Sequence, residues 1–248
     1  KFQKLDSSIT DDLRFIEGRK RLSDLGAWEA TKVNSARPAL ILACGIVWGV
    51  LLIDFILFPV WTELGTDQGG LNFSTVQAGA ISLLNFPIVS ITLIYIYKRV
   101  LTFKASYVMH VTTLIILVLS VLVPCVAFFH ISHDYKFFVL IIITSIKEVA
   151  HILFLSTWSS LFSKLVPSKN LGKTFSWSFL VGHIILAVLS QVFPRLMTVF
   201  INNHKIISVF KEYNMVAFFS LMISPLLIVI ILVGNAKRVL YKEEQIFI

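Results

Sequence analysis

The stretch IIITSIKEVAHILFL, residues 141–155, places Lys147, Glu148 and His151 in the middle of an apolar run. In a helix, Lys147 and His151 stand four residues apart and share a face; Glu148 and His151, three apart, are also neighbours. Lys147 and Glu148 are adjacent and point about 100° apart, so they cannot both face one partner squarely. A base, an acid and an imidazole at this spacing can bind a charged solute, hold an ion pair or exchange protons. Histidine is the side chain whose charge changes near neutral pH. Ionisable groups at membrane depth are costly and by default face a bundle interior or a watery cavity. The functional reading is therefore a charged or proton-exchanging wall of a cavity. The competing reading is an ion pair that ties this helix to a neighbour.

Four further residues belong with these three. Asp54, in WGVLLIDFILFP, is a lone carboxylate that needs a cation, and Lys147 is the candidate if the two helices are adjacent. Asn85, two residues before Pro87, fits either a cavity-lining kink or a hydrogen bond between helices. His183 and Gln191 fall on a stripe with Ala187 and Arg195 at steps of four, and both are candidates for a pathway wall. Gly45 and Gly49 form a Gly-x-x-x-Gly pair, which favours close helix packing. Trp48 and Trp61 read as packing and as a marker of the outer membrane interface, respectively.

These residues need elements to hold them, and the composition says which. The chain has 248 residues, of which 56% are hydrophobic and 15% charged. A soluble domain carries about 25% charged residues. The apolar residues come in six blocks, roughly Pro38–Leu64, Phe73–Tyr97, Ala105–His130, Lys136–Phe162, Phe175–Ile201 and Tyr213–Gly234. Each reaches the roughly 20 residues that cross a bilayer as helix. None has the short, strictly alternating pattern of a barrel strand. The expected fold is all-α: a polytopic membrane protein of six transmembrane helices over 38–236. A polar cytoplasmic linker (1–37) precedes it and a cytoplasmic tail (237–248) follows. Pro38 is expected at the first turn of the first helix, where its missing N–H costs nothing. Ser74 or Thr75 is expected to cap the second.

The net charge of +8 follows topology. Basic residues gather before the first block, in the loops after the second and fourth, and in the tail. The alternate loops are poorer, with none after the first block, Lys136 after the third, and Lys205 and Lys211 after the fifth. The positive-inside rule then puts both ends in the cytoplasm. Nucleic acid is not an expected partner of so apolar a chain. Cys44 and Cys125 lie inside apolar blocks and form no metal-ligand spacing. There is no Gly-rich phosphate loop, no His-x-x-x-His pair and no nucleophile motif. No cofactor, metal or enzymatic activity is expected.

Six helices with both ends inside, after a charged linker, resemble the C-terminal half of a major facilitator superfamily transporter. GGLNFSTVQAGAISLLNFPIVSITLIYIYKRV is similar to the outer loop, eighth helix and following basic loop of the drug:proton antiporter and zinc-induced-facilitator-like branches. LFSKLVPSKNLGKTFSWSFLVGHI resembles the inner loop between the tenth and eleventh helices. The loop YKRVLTFKAS lacks the Gly-x-x-x-Asp signature of the first half of such carriers. The resemblance spans about 210 residues, nearly everything after Arg37. It implies two inverted three-helix repeats and an N-terminal six-helix half outside this sequence, in keeping with an opening on Lys1 rather than methionine. It also implies secondary active transport of a small solute by alternating access, coupled to protons or another ion. The alternative is a non-transporting six-helix scaffold or receptor-like subunit whose intramembrane charges are internal ion pairs.

Overall fold

A computed structural model describes residues 27–66, 70–100, 102–129, 131–165, 168–202 and 224–234. Among them all regular structure is helical. Helix α1 runs over Ala27–Glu63, α2 over Thr75–Val100, and α3 over Ala105–Cys125, followed by a 3-10 turn at Val126–Phe128. Helix α4 runs over His133–Leu165, α5 over Ser168–Asn202 and α6 over Ser224–Gly234.

Four of these are long and apolar enough to cross a membrane: Pro38–Glu63, Thr75–Val100, Ala105–Phe128 and His133–Leu161, of 26, 26, 24 and 29 residues. They coincide with the first four apolar blocks. The fifth block lies within α5, whose apolar stretch is the shorter Phe175–Val188, and the sixth is described only over Ser224–Gly234. The tail 237–248 and residues 1–26 of the linker lie outside the described residues. Four helices of this length and composition fit a helical membrane protein.

Helix α1 begins inside the expected linker, and Pro38 sits within the helix rather than at its first turn. Ala27, Glu29, Ala30, Lys32 and Ala36 are strong helix formers and extend it backwards. The proline removes one bond, to the carbonyl four residues back. Membrane helices tolerate that loss where neighbouring groups or water satisfy the freed oxygen. At the other end of α1 the chain folds back on itself. Asn72 N–H donates to the Leu64 carbonyl at 2.7 Å and Phe73 N–H to the Thr62 carbonyl at 2.9 Å. Asn72 adopts a φ of 55°, a left-handed conformation that asparagine accepts more readily than most residues. This return covers Trp61, which is fully buried beside Leu71 and Phe73 in an apolar cluster. Helix α2 then starts on a reciprocal cap. Gln77 N–H donates to Ser74 Oγ at 3.2 Å, and Ser74 N–H donates to Gln77 Oε1 at 3.0 Å. The pattern Ser-x-x-Gln is a capping box, so the cap is Ser74 and not Thr75.

The helices pair unevenly. Helix α1 lies along α5, and α4 lies along α3 and α2; α1 approaches α2 and α4 closely only over short stretches. Small residues set the first pairing. A Cβ at Gly45 would meet Val181 Cγ1 at 2.5 Å, and one at Gly182 would meet Trp48 Cδ1 at 2.7 Å. The Gly-x-x-x-Gly pair of α1 thus receives α5, and Trp48 packs edge-on against Phe179 with ring centroids 5.4 Å apart. Towards one end of the bundle Trp158 of α4 donates to the Leu40 carbonyl of α1 at 2.9 Å. Around it Leu40, Val47, Met109, Ile116, Phe154, Leu226 and Val229 form a core drawn from α1, α3, α4 and α6.

Of the four membrane-length helices α2 is the least covered, with 17% of its apolar stretch buried. Its buried residues Ala78, Ile81, Asn85 and Val89 form one stripe at helical spacing. Leu83, Phe86, Ile91 and Ile94 face outward. Such an apolar outer face suits hydrocarbon.

Candidate functional site

The buried stripe of α2 brings Asn85 against α4. Asn85 Nδ2 donates to Thr144 Oγ1 at 2.8 Å, and Ser145 Oγ donates to Asn85 Oδ1 at 2.8 Å. Both amide ends are therefore occupied from α4, and Asn85 is 2% exposed. Thr144 accepts from Asn85 while donating its own proton to the Leu140 carbonyl at 2.6 Å. Of the two sequence readings of Asn85, the hydrogen bond between helices is present. Replacing Asn85 with leucine removes both contacts and strands Ser145 in an apolar seam. Interhelical hydrogen bonds in membrane proteins average about 0.6 kcal/mol and reach about 1.7. Asn85→Leu is expected to cost about 1–2 kcal/mol, read as a lowered midpoint of thermal unfolding in detergent.

One turn beyond this clamp, α4 meets α1 through charge. Lys147 Nζ donates to Asp54 Oδ2 at 2.9 Å, and the two side chains are 6% and 14% exposed. The cation that Asp54 requires is thus Lys147. The pair bridges two helices whose backbones come close only briefly. At 2.9 Å with little solvent, the attraction is barely screened, and each charge is expensive to leave alone.

The pair does not close the site. A small, half-enclosed cleft of about 30 Å³ is lined by Leu51, Asp54, Phe55, Phe58, Pro59, Ser82, Asn85, Thr144, Lys147 and Glu148. Three helices supply its walls: α1 gives an acid and two aromatic rings, α2 the amide and a hydroxyl, α4 the lysine, the second acid and a hydroxyl. Glu148 is half-buried, and its carboxylate is influenced by Lys147, the Asn85 amide and Asp54. Two acids thus face one lysine among the described lining residues. With all three ionised the cleft is negative, which favours a proton or a cationic group.

His151 follows Lys147 by one turn and is 1% exposed; neither ring nitrogen has a hydrogen-bond partner. His183 and Gln191 are exposed on α5 and are not among the cleft-lining residues. His183 Nδ1 donates to the Phe179 carbonyl at 2.7 Å, an oxygen that can only accept. The sequence candidates therefore divide: Asp54, Asn85, Lys147 and Glu148 converge on the cleft, His151 lies buried beside its charged pair, and His183 and Gln191 stand apart.

No family model, curated protein or solved structure matches the chain, so its chemistry is read from these residues alone.

Thr144, Ser145, Ser82, Phe55 and Phe58 were not among the sequence candidates. Thr144 had a signal: it stands three residues before Lys147, four before Glu148 and seven before His151, along one side of α4. Phe55 and Phe58 had none, because an aromatic residue in an apolar helix looks the same whether it lines a cleft or packs. Among the described residues no group of three or more His, Cys, Asp or Glu side chains is placed to hold a metal.

Proposed function

We propose that the chain is half of a twelve-helix secondary carrier of the major facilitator type, moving a small solute by alternating access with proton coupling. The observation that carries this reading is the open cleft in which Asp54, Lys147, Glu148 and Asn85 meet between membrane-length helices. Buried charge facing a lipid-covered surface would be penalised without return. Charge lining a cleft is what a solute or coupling ion would meet. Six crossings arranged as two inverted three-helix repeats, with both ends cytoplasmic, complete the proposal. The alternating basic loops support that orientation. The partner is then an N-terminal six-helix half lying across the cleft.

Glu148 is the proposed proton-exchanging acid and the Lys147–Asp54 pair the gate. A protonated Glu148 removes one negative charge from the cleft and shifts the balance between its two orientations. Flux into proteoliposomes under an imposed pH gradient tests this. Glu148→Gln is expected to bring proton-driven accumulation down to that of protein-free vesicles while the protein still expresses and inserts. Unchanged pH-dependent uptake by Glu148→Gln would count against the reading.

The internal closure of the Lys147–Asp54 pair also supports a second reading, a non-transporting scaffold whose charges tie helices together. In that case Glu148→Gln leaves every measured property except stability untouched, and no solute accumulates with the native protein.

A further inference from the structure

His151 presents a problem that neither the pair nor the cleft resolves. It is 1% exposed, and neither Nδ1 nor Nε2 makes a hydrogen bond. The carbonyl of Lys147, one turn back, lies near the ring without reaching hydrogen-bond geometry. A buried polar group with no partner is costly, and a whole imidazole is a large group to leave in that state. The ring is not remote from charge: Asp54 of α1 and Lys147 of its own helix both act on it. Glu148 turns to the cleft beside Asn85. Helix α2 carries no ionisable side chain before Tyr95. On α3, His110 lies near Gly234 of α6. Helix α6 has no ionisable residue, and His183 of α5 is exposed.

Lys147 and His151 sit four residues apart on one face of α4, a separation of about 6 Å along the axis. Asp54 is held at the Lys147 level. The backbones of α1 and α4 approach closely only over a short stretch, while α1 lies along α5 and α4 along α3 and α2. Sliding one packed element past another by about one turn is an established form of switching motion. We propose that His151 is the second partner of Asp54, engaged in a conformation in which α1 has moved by about one turn along α4 from Lys147 towards His151. This deepens the transport reading above and rests on it for its role in flux. The two positions satisfy complementary groups. In the first, Asp54 holds Lys147 and His151 stays neutral and unpartnered. In the second, protonated His151 donates to Asp54 and the Lys147 ammonium is released into the cleft, where it meets Glu148 or a solute. One proton enters the ring as Asp54 reaches it and leaves by the same chemistry reversed, with no bond broken between heavy atoms.

The test is nitrogen-15 NMR of histidine-labelled full-length protein in nanodiscs, with His151 assigned by comparison with His151→Gln. Between pH 8 and pH 5 the His151 ring signals are expected to pass from neutral to charged, and Asp54→Asn is expected to abolish that change while His183 is unaffected. If Asp54→Asn does not fold, the carboxyl carbon signal of Asp54 in the native protein serves instead, and is expected to move in step with His151. A ring that stays neutral throughout, or one that titrates identically without Asp54, overturns the exchange. So does an Asp54 signal that moves independently of the ring. The readout does not depend on flux: a carrier whose His151 stays neutral loses this inference alone. A chain that transports nothing yet shows the linked titration keeps the exchange and loses the carrier.

Discussion

Lys147→Met is expected to destabilise the protein by about 3–5 kcal/mol, the cost of breaking a buried ion pair and leaving one charge uncompensated. The lysine and aspartate meet at 2.9 Å with 6% and 14% side-chain exposure, so little solvent reaches the charge left behind. Methionine fills nearly the same volume, which keeps cavity formation out of the comparison. Asp54→Asn leaves the lysine uncompensated in the same way. The double variant Lys147→Met with Asp54→Asn is expected to recover much of the loss, because no bare charge remains. A thermal-unfolding cycle in detergent measures the coupling directly. Additive losses in the double variant would show that the two side chains do not stabilise one another.

Gly45→Leu is expected to be nearly as damaging. Even the first carbon of a side chain there would stand 2.5 Å from Val181 Cγ1 and 3.2 Å from the Ser178 carbonyl oxygen. The valine methyl can turn aside, but the carbonyl belongs to the backbone of α5. Overfilling a packed seam costs about 1–3 kcal/mol, and a leucine here must push two helices apart. Gly79 supplies the control, since a Cβ there meets nothing within 4 Å. Gly79→Ala is expected to be neutral or to gain up to about 1 kcal/mol from helix propensity. The order of unfolding midpoints, Gly79→Ala at or above native and Gly45→Leu well below, reads whether the α1–α5 contact is set by small residues.

These expectations show which parts of the molecule were legible in the sequence. The first four long helices were, because apolar length alone decides which segments can cross a bilayer. The partnership of Asp54 with Lys147 was legible in kind, since a lone carboxylate between apolar residues needs a cation and α4 offers one at comparable depth. The role of the Gly-x-x-x-Gly pair was legible too, although its partner Gly182 was not. Glycine spacing announces close approach without naming what approaches. The start of α1 is not legible in Pro38, because the helix formers before it extend the helix through the proline. The burial of Trp61 by the folded-back residues 70–73 is not legible in the sequence, because it depends on the turn that Asn72 makes. The division between His151, buried beside the charged pair, and His183 and Gln191, exposed on α5, depends on how the helices rotate against one another. A single apolar helix pattern with polar residues on more than one side does not fix that rotation.

Alternating access is tested most directly by the exposure of the cleft to each side of the membrane. Ser82 lines the cleft from α2 and is exposed, and a cysteine there changes only its oxygen to sulfur. Full-length protein carrying Ser82→Cys, with Cys44 and Cys125 replaced by alanine, can be placed in vesicles and treated with a membrane-impermeant thiol reagent. Alternating access predicts labelling from both sides, with acidification of one side raising labelling from one face as it lowers labelling from the other. Labelling from a single side at every pH, with no response to the gradient, would contradict it.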